Sequence, residues 1–184
     1  MIRKLTHEEM IGRQKEKIKQ PRLGFHVILN NVRSAYNVGS IFRSADGAGV
    51  GKIWLCGITG YPPNREIAKT ALGAELQVPW SYKEDAVSVI KELKKQGYQI
   101  VLLEQAQKSV AYLDFKPRAP VGLVIGNEID GVCEKIIEYC DAAVEIEMAG
   151  LKNSLNVSVA FGIVAYHFRD KLCANHSHLV GGGG

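Results

Sequence analysis

The sequence predicts an α/β domain built on a parallel sheet, and three observations carry that prediction. Segments with apolar residues at helical spacing alternate with short apolar runs along the chain. One of those runs, Val121-Gly-Leu-Val-Ile125, is apolar on both faces, as a strand covered by helices on each side must be. Three clusters of polar residues and glycine follow directly after apolar runs, where the ligand sites of open α/β sheets form.

A chain of 184 residues, 46% hydrophobic and 23% charged, suits one well-cored domain. No apolar run reaches the ~18–20 residues of a membrane span. The opening Met-Ile-Arg-Lys-Leu-Thr lacks the apolar core of a signal peptide, so a cytoplasmic protein is expected, with no membrane partner. Cys56, Cys133, Cys140 and Cys173 show no Cys-x-x-Cys pairing, which predicts reduced, mostly buried thiols and no metal. The net charge of +4 is local, because residues 1–22 hold seven Lys or Arg against Glu8, Glu9 and Glu16. That basic stretch suits a polyanionic partner or a solvated helix face, and composition alone does not choose between them.

In chain order, Thr6-His-Glu-Glu9 has capping-box form and predicts a helix over 7–20, stopped by Pro21. A first strand spans 25–29. With Asn37 as cap, a helix to about Ala48 places Val38, Ile41, Phe42 and Ala45 on one apolar stripe, and Arg43 falls off it. Asp46-Gly-Ala-Gly-Val-Gly-Lys52 departs from the phosphate-loop pattern and reads as a helix end with glycine turns before a strand at 52–56. Tyr61-Pro-Pro-Asn64 leads into a short helix at 65–70, whose Arg65 and Lys69 are surface charges or contacts to a polyanionic partner. A helix at 85–95 ends at Gly97 and returns to a strand at 98–103. The strand 121–125 runs into Gly126-Asn-Glu-Ile-Asp-Gly131, followed by a short helix at 133–140 and a strand at 143–146.

After a loop carrying Gly150, Ser154, Asn156 and Ser158 stand at the head of the most apolar segment, 155–168. A buried hydroxyl or amide without a partner costs about 1–3 kcal/mol, so these side chains are expected to be hydrogen-bonded. The run 181–184 is all glycine and reads as part of a flexible tail over 175–184.

The stretch 146–166, with Ser-Leu-Asn-Val-Ser at its centre, closely resembles the third motif of the SpoU/TrmH family of RNA 2'-O-ribose methyltransferases in the SPOUT superfamily. Asn30 to Arg43 is similar to the family's first motif, and Gly126-Asn-Glu with Gly131 to its second. The likeness spans about residues 25–170. It implies a Rossmann-like SPOUT domain over 23–174 whose C-terminal part is threaded as a trefoil knot, and a homodimer acting on tRNA or rRNA. It implies S-adenosylmethionine as cofactor, with Gly126, Ile146 and Leu155 at cofactor-contacting positions. Leu103, with the segment to Gln105, joins them on position alone, after a predicted strand.

The resemblance carries over Arg43 as the catalytic arginine and Asn37 as a positioning amide. Ser154 and Asn156 then orient Arg43 or the ribose, and Glu128 fixes a loop or a partner arginine. A guanidinium with a pKa above ~12 is a poor base, so stabilising negative charge is the physically easier role for Arg43, and both roles stay open. Two other readings are a catalytically silent RNA-binding protein, against which Arg43, Asn37, Glu128 and Ser154 all stand, and a base methyltransferase, against which the Ser-Leu-Asn form stands.

Overall fold

A computed structural model describes residues 2–18 and 21–180, with side chains described for 2–13 and 21–174. The elements follow as α1 (His7–Ile18), β1 (Phe25–Asn30), α2 (Ala35–Ala48), β2 (Lys52–Cys56), α3 (Arg65–Ala71), β3 (Trp80–Lys83), α4 (Ala86–Lys95), β4 (Gln99–Leu103), β5 (Val110–Ala111), β6 (Val121–Ile125), α5 (Glu134–Ile137), β7 (Ala142–Glu145) and α6 (Val157–Val180). Seven strands form one sheet in the order β3-β2-β1-β6-β4-β7-β5, every pairing parallel.

Strand alternation divides the core into two layers. Phe25, Val27 and Leu29 of β1, with Val121, Leu123 and Ile125 of β6, face α2, α3 and α6. Ile28, Val124, Ile100 and Leu102 face the other way, against Val89, Ile90 and Leu93 of α4. Gly122 sits in this second layer because a Cβ there meets Ile100 Cδ1 at 3.1 Å and Ile28 Cδ1 at 3.2 Å. Against α2, α3 approaches so closely that a Cβ at Gly39 falls 2.1 Å from Thr70 Oγ1 and 2.3 Å from the Ile67 carbonyl.

Capping chemistry sets most helix starts. The capping box of α1 forms: Glu9 N–H donates to Thr6 Oγ1 at 3.3 Å and Thr6 N–H to the Glu9 carboxylate at 2.8 Å. Residues 19 and 20 of the predicted first helix lie outside the described residues. Asp85 caps α4 and Asn64 caps α3, each accepting two backbone N–H groups. The cap of α2 differs from expectation. Ser34 takes that place and accepts the N–H of Asn37, which is therefore inside the first turn with its amide released for other work.

Other departures are local. β3, β5 and a 3-10 turn at Ala74–Leu76 were not expected, the two strands being short edge pairings of four and two residues. α5 is shorter than predicted, and α6 begins at Val157 and stays helical to Val180, six residues into the stretch expected as tail. Residues 181–184 lie outside the described residues. The thiols are not mostly buried: Cys56 is buried and Cys140 half-buried, while Cys133 and Cys173 are exposed. Among the described residues no helix is long and apolar enough to cross a membrane.

A histidine is packed into the sheet. Half-buried His26 on β1 has its ring 4.7 Å from that of Tyr98. The Trp54 indole N–H meets Nδ1 at 3.4 Å and the Tyr98 hydroxyl meets Nε2 at 3.2 Å. An indole only donates, so Nδ1 keeps its lone pair and the proton sits on Nε2. Burial, helped by the charge of Lys52, lowers the His26 pKa from 6.5 to about 4. The unfolded chain then takes up a proton that the native state refuses, so this contribution is complete above about pH 6.5 and lost as pH falls towards about 4. His26→Phe removes the titration while keeping a ring in place. Its urea midpoint is expected to change less than the wild type's between pH 7 and pH 4.5, and an equal change would show that other groups set the acid limb.

Candidate active site

Parallel strands deliver their carboxyl ends to one edge of the sheet, so the segments after β1, β6, β4 and β7, which are neighbours in the sheet, meet there. The first of them turns at Asn31, which adopts φ 59°, a left-handed conformation that asparagine tolerates better than most residues. Its Oδ1 accepts the N–H of Ile58 at 3.0 Å, and its carbonyl accepts Asn127 Nδ2 at 3.0 Å. Buried Thr59 accepts the Val32 N–H at 3.0 Å and donates to the Cys56 carbonyl at 2.7 Å. The exits of β1, β2 and β6 are thus tied together before α2 begins.

Gly126 has no room for a side chain, since a Cβ there lies 2.5 Å from the Gly131 carbonyl group. Asn127 and Gly131 exchange backbone hydrogen bonds at 3.0 and 3.1 Å, and Asn127 Oδ1 accepts the N–H groups of Ile129 and Asp130. This tight loop aims Glu128 at the start of α2. The carboxylate accepts the N–H of Arg33 at 3.1 Å, the N–H of Ser34 at 3.3 Å and Asn37 Nδ2 at 3.0 Å. Burial on its own raises the Glu128 pKa; the bonds from Asn37, Arg33 and Ser34 outweigh it and hold the carboxyl below its ordinary value.

Asn37 Oδ1 then accepts Asn156 Nδ2 at 3.0 Å, and Asn156 Oδ1 accepts both the N–H of Ser158 at 2.9 Å and its hydroxyl at 2.7 Å. One polar chain therefore runs Glu128, Asn37, Asn156, Ser158, with members from all three motifs. A carboxylate that only accepts stands at one end and a backbone N–H that only donates stands at the other, so the orientation of both amides is fixed.

Beside this chain lies a cleft of about 490 Å³, bordered by Leu103, Gly126, Ile146 and Leu155, and also by Glu128 and Ser154. Apolar wall comes from Ile125, Met148 and Val157, and Glu104 and Glu145 add two further carboxylates. Gln105, the end of the segment expected to line the pocket, borders the cleft, and its Nε2 donates to the Asn153 carbonyl at 2.8 Å, which ties the β4 exit to the third motif. Sequence reasoning missed Asn31, although an asparagine directly after a strand is a common site for a left-handed turn.

Two expectations are corrected. Ser154 and Asn156 are exposed and Ser158 half-buried, so the third-motif polar cluster is not enclosed: Ser154 and Asn156 lie ahead of α6 and Ser158 in its first turn. Asn156 and Ser158 satisfy each other, whereas Ser154 has no hydrogen bond among the described residues. Arg43 stands apart from the rest. It is exposed on α2, pairs with no carboxylate among the described residues and does not border the cleft of its own chain.

A single parallel sheet with a polar chain and an apolar, carboxylate-edged cleft at its carboxyl edge defines a Rossmann-like α/β ligand-binding domain. Residues 24–166 match the model of the SpoU rRNA Methylase family, and the chain belongs to that family. A Staphylococcus saprophyticus protein named as a putative TrmH family tRNA/rRNA methyltransferase is 34% identical over 80% of this chain and 59% of its own. The Aquifex aeolicus tRNA (guanosine(18)-2'-O)-methyltransferase is 31% identical over 88% of this chain and 76% of its own. This chain spans about three-fifths of the length of the staphylococcal relatives.

Among solved structures, an A. aeolicus TrmH/SpoU tRNA modifying enzyme superposes with a TM-score of 0.80 at 27% identity, covering 94% of this chain and 87% of that one. An rRNA methyltransferase from Sinorhizobium meliloti with AdoMet bound superposes with a TM-score of 0.76 at 31% identity, covering 85% and 60%.

The polar chain makes its own test. Asn37→Asp faces the Glu128 carboxylate with a second acceptor and, when ionised, a like charge. It is expected to cost about 1–3 kcal/mol at pH 7 by urea denaturation. The loss should shrink below about pH 4, where one of the two carboxyls is protonated. A loss of the same size at both pH values would mean that Asn37 and Glu128 are not coupled.

Proposed function

We propose that this chain transfers a methyl group from S-adenosylmethionine to a ribose 2'-oxygen of tRNA or rRNA. The observation that carries the reading is the joining of all three motifs into one hydrogen-bonded chain beside one cleft. The relatives' names support it, dividing between tRNA and rRNA. The cleft's chemistry fits the cofactor. Leu103, Ile146 and Leu155 offer an apolar wall for an adenosine, and Glu104, Glu128 and Glu145 suit a ligand carrying positive charge.

When bound, S-adenosylmethionine supplies an electrophilic methyl group on a sulfonium. Gly126 lets the β6 loop close on the cleft, and Leu155 and Ile146 exclude water from it. Leu103, Gly126, Ile146 and Leu155 would hold the cofactor, and the ribose hydroxyl that would take its methyl group would give up its proton to water. Arg43 stabilises the negative charge that develops on that oxygen, and a neighbouring phosphate is within the reach of the same guanidinium. Asn37 and Asn156, fixed by Glu128, hold the ribose side of the site, and Ser154 meets the ribose or Arg43. A silent RNA-binding role is disfavoured by the presence of all these side chains.

Arg43 lies off the cleft of its own chain, which supports a two-fold dimer in which each Arg43 serves the partner's cleft. The insertion of β6 and β7 between strands laid down earlier supports a threaded trefoil knot in the C-terminal part. A crystal structure with the cofactor tests both, with a threaded trace and Arg43 against the partner's cleft as the expected result. A monomer with an unthreaded chain would overturn both.

The chemical division of labour is tested by Arg43→Ala and Gly126→Val. The first is expected to bind S-adenosylmethionine almost normally in calorimetry and to lower single-turnover methylation of unmodified tRNA or rRNA by about 10²–10³-fold. The second is expected to lose cofactor binding. Nucleoside digestion should place the methyl on ribose, and a methylated base or equal loss of cofactor binding in the two variants would sink the assignment.

A further inference from the structure

A second cavity, of about 530 Å³, lies at the opposite edge of the sheet from the cleft, between α3, the 3-10 turn and the side of β3. It shares no lining residue with the cleft. Pro62, Pro63, Leu76 and Trp80 make flat or apolar walls, Arg65 stands at its border, and Glu75 supplies the acid. Glu75 Oε2 is enclosed and accepts no hydrogen bond. A buried acceptor left without a donor is costly, and a ligand that brings an N–H relieves it.

The surroundings say what kind of ligand. Tyr61 stacks on Trp80 with ring centroids 6.3 Å apart and lies 4.7 Å from Tyr82, whose hydroxyl reaches the Gly57 carbonyl at the carboxyl end of β2. Three aromatic rings therefore lead from the cavity towards the edge of the sheet that holds the active site. On the α2 side, Lys69 stands 5.9 Å over the ring of Tyr36, next to Asn37. Arg65 has no hydrogen bond or ion pair among the described residues. Aromatic faces interleaved with unpaired cations are how proteins hold single-stranded RNA. Three strand spacings, about 14 Å, separate β3 from β6, a gap that a few nucleotides bridge.

We propose that this cavity binds an unpaired guanine of the RNA substrate, a few nucleotides from the methylated one, with Glu75 reading its Watson–Crick edge and Arg65 taking an adjacent phosphate. Guanine fits because its N1–H and N2–H₂ are neighbouring donors for a carboxylate, whereas uracil offers one donor flanked by acceptors. The inference rests on the reading of this protein as an RNA methyltransferase.

The test uses the full chain and two probes, an eight-nucleotide oligouridylate and the same strand with one central guanosine, followed by fluorescence anisotropy. The guanosine strand is expected to bind about tenfold more tightly, the low end of what a good base-edge contact contributes. Glu75→Gln should erase that difference and leave oligouridylate binding unchanged or slightly stronger. Removing a negative charge strengthens non-specific RNA binding, so only a base reader loses by this substitution.

A guanosine preference that survives in Glu75→Gln would overturn the proposal, as would equal binding of the two strands by the wild type. Failure of both strands to bind would count against the RNA reading itself. If Leu76→Asp changes the molar mass in light scattering and no guanosine preference exists, the cavity is an interface between copies and the proposal falls.

Discussion

Glu128 can only accept hydrogen bonds, and the geometry of the site follows from that. Because it accepts, Arg33 and the cap residue Ser34 point their N–H groups at it just ahead of α2, which helps settle where the helix begins. Because it accepts, Asn37 must turn its NH₂ towards the β6 loop and its carbonyl oxygen towards α6. Asn156 is then obliged to donate to Asn37, and its own oxygen is left to cap the first turn of α6 through Ser158. A single ionised carboxylate thus sets the direction of every bond in a chain linking residues 119 positions apart in sequence. Hydrogen bonds to charged groups contribute about 1.5–3 kcal/mol each, so the arrangement is stiff as well as directional.

Much of the sheet was legible because its signals are local. Helical spacing in α4, the two-faced apolar run of β6 and the capping box of α1 each depend on side chains close together in the chain. The 3-10 turn, β3 and β5 were not legible. β5 is two residues long, and β3 puts half-exposed Trp80 and Ser81 beside exposed Tyr82 and Lys83, so neither shows an apolar run. Their existence depends on neighbours, β2 for one and β7 for the other, that bonds of long sequence separation supply.

The site was legible in its membership and less so in its wiring. Leu103, Gly126, Ile146 and Leu155 do border one cleft; the family resemblance had singled out the last three, and Leu103 only its position after a strand. Asn37 was expected to cap a helix, because asparagine before an apolar stripe usually does; Ser34 sits three residues earlier and took that part. The third-motif polar residues were expected to be enclosed because their sequence neighbours are apolar, yet those apolar side chains turn inward only once α6 has started. Sequence lists which side chains are close in the chain, and it is the strand order that decides which way they face.

That strand order also governs how the chain comes off the ribosome. β4 pairs only with β6 and β7, and β1 lacks its second neighbour until β6 is made. Throughout synthesis of the first 120 residues, β4 has no partner and β1 shows one bare edge, the kind of surface on which separate chains stick to one another. The last third of the sequence therefore closes the sheet as well as bordering the cleft. A nascent chain stalled short of Val121 carries Arg43 on a sheet that is split down its middle.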